Sequence, residues 1–259
     1  MSRRGGAAIT AAAVAGYAFL YAPLAVVVIF SFNDSKINAE WVGFTTAWYA
    51  KLMRNAAMLT AAGNSLLIAL VSSLAATTLG TMAGFALHRR PGRVLPVLVF
   101  APIAMPEILM GVALLMFFVL INLTLGLLSI TLAHIAFCIG YVAIVVRSRL
   151  AGSDESLVEA ARDCGATPWL AFRHVTLPLI LPGVIAGALM AFTLSIDDFV
   201  ITFFTAGATA STLPLQIYSM VKTTVTPEVN AISTLLLLLT LVLITAAAKI
   251  APGILNFSE

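Results

Sequence analysis

Along most of this chain the polar positions are too far apart to leave a periodic pattern. Long apolar runs are broken by short polar clusters. The charge-free stretches are 5–33, 55–87, 94–106, 108–146, 174–196, 199–221 and 229–248. A helix crossing ~30 Å of hydrocarbon needs about 20 mostly apolar residues. The stretches therefore predict six membrane-spanning helices, at about 11–32, 62–87, 95–120, 127–147, 179–204 and 230–250. The third and fourth are separated by Asn122-Leu123-Thr124-Leu125-Gly126, a short polar turn closed by glycine. The second half of 199–221 carries Gly207, Ser211, Thr212 and Pro214 and reads as a loop. Arg3-Arg4 before an apolar run looks like a secretion signal. The run from Ala7 to Phe32 exceeds the 7–15 residues of such a signal's apolar region, so a retained first helix is expected.

Composition agrees with this pattern. Hydrophobic residues make up 61% of the 259 positions and charged residues only 10%. A water-soluble fold of this size lacks the polar surface to cover so much apolar side chain. Soluble enzymes, disordered regulators and disulfide scaffolds are excluded, and Cys138 and Cys164 form no disulfide framework. The net charge of +3 does not point to nucleic acid. In a membrane protein it reports orientation. With the N-terminus inside, ten of the 14 Lys and Arg residues fall on inner segments, and only Lys36, Lys51, Arg54 and Lys222 lie outside. Six spans then place both termini in the cytoplasm.

Two spans carry small residues at every fourth position: Ser72, Ala76, Gly80 and Gly84, then Gly183, Gly187, Ala191 and Ser195. Such stripes allow close backbone approach in lipid. They serve either packing within the bundle or contact with a second membrane subunit. Pro102, Pro106 and Pro182 mark kinks or helix starts.

The segment 148–177, between the fourth and fifth spans, is charged. Ser156 and Glu159 have the spacing of a capping box. Leu157, Ala160, Ala161 and Cys164 follow at helical spacing as a narrow apolar stripe. Gly165 suits the position after a helix end, and Thr167-Pro168 suits a new start. A short helix, a tight turn and a second amphipathic helix are expected. The helix could lie at the membrane surface, but an alanine-rich stripe beside acidic residues suits a protein groove better.

Glu159-Ala160-Ala161-x-x-x-Gly165, followed by Leu177-Pro178, resembles the EAA loop of ABC importer permease subunits. Its place before the penultimate span also matches. Ser31-Phe32-Asn33, Trp41-x-Gly43-Phe44, Trp48-Tyr49, His134-x-x-Phe137-Cys138, Phe192-Thr193-Leu194-Ser195-x-Asp197-Asp198, Thr212-Leu213-Pro214-Leu215 and Pro227-Glu228-x-Asn230-Ala231 resemble the spermidine/putrescine branch of that family. The resemblance implies an all-α type I importer permease: a single membrane domain over 1–259, with 148–177 as a coupling loop within it. The implied partners are a second permease subunit forming a heterodimer, two ATP-binding subunits, and a periplasmic binding protein that delivers polyamine. Glu159, Ala160, Ala161, Gly165, Leu177 and Pro178 would form the loop coupled to the ATPase. Helices would swing between outward- and inward-facing states as the ATPases close. The chain has no G-x-x-x-x-G-K-[ST] phosphate loop, since none of its four lysines follows a glycine. No cofactor is expected here; ATP and Mg would sit on partner subunits.

Glu107, Asp197 and Asp198 fall within predicted spans, where ionisable groups are costly. They either line a path for a polycation, or pair with cations, cap helices or carry a proton. His134 is expected to be a packed, hydrogen-bonded group rather than a proton relay. Trp41, Trp48 and Tyr49 are interfacial anchors or contacts for the binding protein. An importer of another solute, such as ferric iron or thiamine, shares much of this pattern. An ion-driven transporter would show inverted repeats, and a membrane scaffold would not need intramembrane acids.

Overall fold

The computed structural model describes residues 3–35, 40–89, 92–223 and 226–250. The chain divides into two compact units: Met1–Leu59 with Gln216–Leu241, and Thr60–Leu215 with Val242–Glu259. Among the described residues the structure is helical, apart from one antiparallel bridge between Asn33 and Phe44.

In the first unit, α1 (Arg3–Phe30) is apolar and carries Pro23. It leads into a braced loop. The Asn33 side chain donates to the Glu40 carbonyl at 2.7 Å and accepts from Val42 N–H at 2.8 Å. Trp48 Nε1 donates to the Asn33 carbonyl at 2.8 Å, and the Tyr49 hydroxyl meets Ser31 Oγ at 2.7 Å. Trp48 and Tyr49 thus hold the loop itself, whereas Trp41 is exposed. Lys51, on α2 (Ala47–Leu52), pairs with Glu228 at the start of α12 (Pro227–Ile250). That pairing gives the largely buried Glu228 carboxylate a counter-charge.

The second unit contains α3 (Ala56–Arg89, from Thr60), α4 (Val94–Ala104), α5 (Glu107–Leu120), α6 (Leu127–Ala151) and α9 (Leu177–Ile196). Helix α6 is its hub, and the small-residue stripes explain why. A Cβ on Gly80 would sit 2.6 Å from Val142 Cβ and 2.8 Å from the Ile139 carbonyl; one on Gly84 would sit 2.9 Å from the Ala143 carbonyl. Gly183 and Gly187 of α9 approach Arg149 and Val142. In return, Gly140 of α6 admits the α4 backbone, its virtual Cβ lying 2.5 Å from the Val99 carbonyl. Both stripes therefore pack within the bundle, onto one helix.

Three expected elements differ in detail. The third span is two helices, α4 and α5, bent by 113°. Met105 is extended between them, because the residue before Pro106 is disfavoured in helical geometry. The fifth span ends at Ile196 rather than near 204, and residues 200–205 form a separate short helix, α10 (Val200–Thr205). The expected loop after Ser211 is instead the helix α11 (Leu213–Thr223), with Pro214 in its first turn, where a missing N–H costs nothing. Among the described residues four helices qualify as spans by length and composition, and the bent pair makes a fifth; the expected sixth span, 230–250, falls on α12, whose Pro227–Val242 is a shorter apolar helix.

The close approaches give a direct test. Gly140→Ala drives a methyl into the α4 backbone and should cost about 1–3 kcal/mol. The detergent-solubilised protein should melt at lower temperature. Gly63→Ala, with nothing within 4 Å of the added Cβ, should melt like the parent.

Candidate functional site

The first site candidate is the loop after α6. Helix α7 (Ser156–Asp163) buries none of its residues. Its cap is not the expected Ser156–Glu159 box. Asp154 Oδ1 accepts from Ser156 N–H at 2.9 Å instead. A carboxylate two residues upstream captures this N–H as an Asx turn. Hydrogen bonding from the Ser156 hydroxyl and N–H holds the Asp154 carboxyl below the ordinary aspartate range. Glu155 at the same end reaches His88 Nε2 at 3.2 Å.

Helix α7 stops as expected. Gly165 has φ +89°, a left-handed conformation that side-chain-bearing residues rarely adopt. Gly165 N–H donates to the Arg162 carbonyl at 2.9 Å and Ala166 N–H to the Ala161 carbonyl at 3.0 Å. This pair of bonds is a Schellman motif. Thr167 Oγ1 then accepts from Leu170 N–H at 3.3 Å, opening α8 (Pro168–Ala171).

The expected second amphipathic helix is not a separate element. α8 runs through a π-helical turn, Phe172–Thr176, directly into α9. Pro178 has no N–H to give, and its ring crowds the carbonyl four residues back; the wider turn just upstream accommodates both. Leu177 packs against the main core while Pro178 is exposed. The loop is thus a short exposed helix joined by a tight turn at Gly165 to a continuous helix that runs on into a span. Glu159 and Ala160 are exposed, and Ala161 is half-buried. A displacement of α7 would be carried along that helix.

The second candidate surrounds the acids. Asp198 lies at the break between α9 and α10. Its side chain is 6% exposed. Oδ2 accepts from Thr202 N–H and Thr202 Oγ1, each at 2.8 Å, and lies 3.2 Å from His134 Nε2. His134 is buried on α6. Its Nε2 is 2.9 Å from Thr202 Oγ1, and its Nδ1 is 2.7 Å from Ser195 Oγ. Ser195 Oγ meets Ser72 Oγ at 2.9 Å, and Ser72 donates to the Ile68 carbonyl at 2.6 Å. A continuous polar chain thus crosses from α3 through α9 and α6 to α10. Its serines are the outermost members of the two small-residue stripes.

Asp197 is exposed beside Asp198 and feels the negative charge of both Asp198 and Glu107. Glu107 is exposed in the first turn of α5, at the bend from α4. Helix α5 packs on α10, with a virtual Cβ on Gly111 only 2.6 Å from Phe204. The fold therefore brings Asp197 within electrostatic reach of both Asp198 and Glu107. Asp198 is held internally and the other two are open. Asp198 stands one residue before the N-cap Phe199 and bonds four residues on, outside the usual cap spacing, and its partnership with His134 has no signal in linear sequence.

With this geometry in hand, comparison with known proteins is specific. Residues 76–256 match the family described as binding-protein-dependent transport system inner membrane component. The chain belongs to this family: it is a multi-pass inner-membrane permease subunit of an importer. It is 45% identical over 232 residues to the putrescine transport system permease protein PotI of Escherichia coli (strain K12), covering 86% of this chain and 83% of that one. It is 43% identical over 238 residues to the spermidine/putrescine transport system permease protein PotC of the same strain, covering 91% and 90%. In fold it resembles the MetNI methionine ABC transporter, with a TM-score of 0.66 at 21% identity over 82% of this chain and all of that one. A bacterial ABC transporter involved in import of the acidic polysaccharide alginate gives 0.71 at 16% identity, covering 100% and 99%.

The Asp154 cap yields a pH test. A depressed folded-state pKa stabilises α7 above the unfolded value of about 3.9 and is lost as pH falls through the folded value. Hydrogen exchange over Ser156–Asp163, corrected for intrinsic rates, should lose protection only below about pH 4. Asp154→Ala should lose it at neutral pH, and Asp154→Asn, which still offers an acceptor, should keep it throughout.

Proposed function

We propose that this chain imports polyamines, putrescine or spermidine, as one permease of a heterodimer. In this reading two ATP-binding subunits dock on the cytoplasmic face, where ATP and Mg are bound. A periplasmic binding protein delivers the solute, and both termini of this chain lie inside. The observation that carries the substrate assignment is the likeness, over more than four-fifths of the chain, to permeases named for putrescine and spermidine. The clustered acids support it. A divalent or trivalent organic cation needs negative charge where water is scarce, and carboxylates in low dielectric attract it strongly.

Coupling follows from the loop. Helix α7 would sit in a groove of an ATPase subunit, with Leu157 and Ala160 against its wall and Glu159 on a basic residue there. Its exposure and its tight glycine hinge suit that task. Closure of the ATPase dimer would push α7, and the rod from α8 into α9 would carry the movement to the acid cluster. Asp198 is the carboxylate on which the permeating cation would act, with Asp197 and Glu107 at the approach.

Two sets of variants test this in cells whose only polyamine uptake is through this complex. Gly165→Pro forces φ to about −65° where +89° is needed, and Glu159→Lys reverses a charge. Both should abolish labelled putrescine uptake while leaving membrane insertion intact, and both should reduce ATPase co-purification. Asp198→Asn should impair uptake without lowering complex yield. Normal uptake in the loop variants would refute coupling through α7, and normal uptake in Asp198→Asn would refute a direct role for that carboxylate.

A further inference from the structure

The polar chain around His134 can be counted proton by proton. Five contacts need a hydrogen each: Ser72 to the Ile68 carbonyl, Ser72 to Ser195, Ser195 to His134 Nδ1, His134 Nε2 to Thr202, and Thr202 to Asp198 Oδ2. The three hydroxyls of Ser72, Ser195 and Thr202 bring three hydrogens. A neutral imidazole brings one more, leaving one oxygen–oxygen or oxygen–nitrogen contact at 2.6–2.9 Å empty. An imidazolium brings two, and every contact is filled. Ser72 donates to the Ile68 carbonyl, Ser195 to Ser72, His134 Nδ1 to Ser195, His134 Nε2 to Thr202, and Thr202 to Asp198. Moving the extra proton onto Asp198 reverses the two bonds between Asp198 and His134 but preserves the count. In either arrangement the pair is electrically neutral and holds one proton more than a neutral imidazole beside a carboxylate.

Neutrality fits the location. A lone buried carboxylate is costly, and one partnered by a cation much less so. Among the described residues, the groups facing His134 are Ser195 from α9, Thr202 from α10 and Asp198 from the break. Cys138, one turn along α6, feels the Asp198 charge, and Asp197 stands beside Asp198 with Glu107 in electrostatic reach. No lysine or arginine is paired with Asp198 among these residues. The bonds from Thr202 N–H and Oγ1 and the ring contact all go to Oδ2, so that among the described residues Oδ1 is the oxygen left for another partner.

We propose that His134 is the resting counter-ion of Asp198 and a positioning residue for import, an inference that rests on Asp198 lying on the cation's path. With no cation present, the imidazolium neutralises the carboxylate and fixes its rotamer. When an ammonium group reaches Oδ1, its positive charge makes the imidazolium unfavourable. The extra proton then passes through Thr202 to Asp198 and from there to the water that enters with the cation, and the ring stays as a neutral hydrogen-bonding partner. One ammonium group reaches Asp198 as one proton leaves His134, so this carboxylate keeps a counter-charge throughout. When the ammonium group moves on, His134 takes a proton back.

The test uses the complete complex in proteoliposomes with saturating putrescine-loaded binding protein. Uptake is followed between about pH 5 and pH 8, the range in which imidazoles exchange protons. The parent should slow towards acid pH, because a cation must displace a held proton. His134→Gln keeps a donor and an acceptor without a charge. It should keep folding and assembly, flatten this acid limb, and slow uptake by roughly 5- to 100-fold at neutral pH. His134→Ala, which also loses positioning, should be slower still. The double variant His134→Gln/Asp198→Asn should be no worse than Asp198→Asn alone, because both act through one carboxylate. An unchanged acid limb in His134→Gln, or losses that multiply in the double variant, would overturn the role of His134 while leaving the path intact. Asp198→Asn importing like the parent would instead remove the path on which the inference rests.

Discussion

Close approach to helix α6 is the constraint on which the larger unit depends. In lipid there is little hydrophobic drive between helices, so contact has to come from shape and from hydrogen bonds. Gly80, Gly84, Gly183 and Gly187 let two neighbours lie directly against α6, and Gly140 lets in a third. The polar chain through His134 follows from the same geometry. Ser72 and Ser195 continue the stripes that bring the backbones together, and at that distance their hydroxyls meet. A larger residue in either stripe would separate these donors and acceptors as well as the helices.

The same close packing allows movement to be transmitted. The rod from Pro168 through Ile196 begins just after the exposed helix α7 and ends directly before Asp197. Its irregular points are the π-helical turn at Phe172–Thr176 and Pro182, so its bending is localised rather than spread. At its far end Ser195 is bonded to His134. A shift along the rod therefore reaches the ring that holds Asp198. The loop after α6 and the acids thus lie at two ends of one continuous helical element, which is the connection that the proposed coupling of hydrolysis to access would need.

Much of this was legible in the sequence because lipid permits few solutions. Long apolar runs located the long helices, though not the break between α4 and α5 or the early end of α9, and spacing by four gave the packing faces. Gly165 and Thr167-Pro168 announced a turn whose bonds form as expected. What was hidden depended on competition or on distance. Ser156–Glu159 has the spacing of a cap, but Asp154 reaches the same N–H from outside the motif. Thr167-Pro168 suggested a second, separate helix, yet a π-helical turn runs it directly into α9. The bend at Met105 is visible as two prolines, but not its angle. His134 and Asp198 are 64 positions apart, and only the packing of α6 against α9 and α10 makes them partners.

In the proposed cycle, polyamine binding on the periplasmic side is transmitted through this permease to ATP hydrolysis on the cytoplasmic side. Its most direct measurement is the ATPase rate of the reconstituted complex as a function of what its binding protein carries. Putrescine- or spermidine-loaded binding protein should stimulate hydrolysis well above the unloaded protein. Equal rates with and without polyamine, or stimulation only by a different solute such as ferric iron or thiamine, would contradict the account.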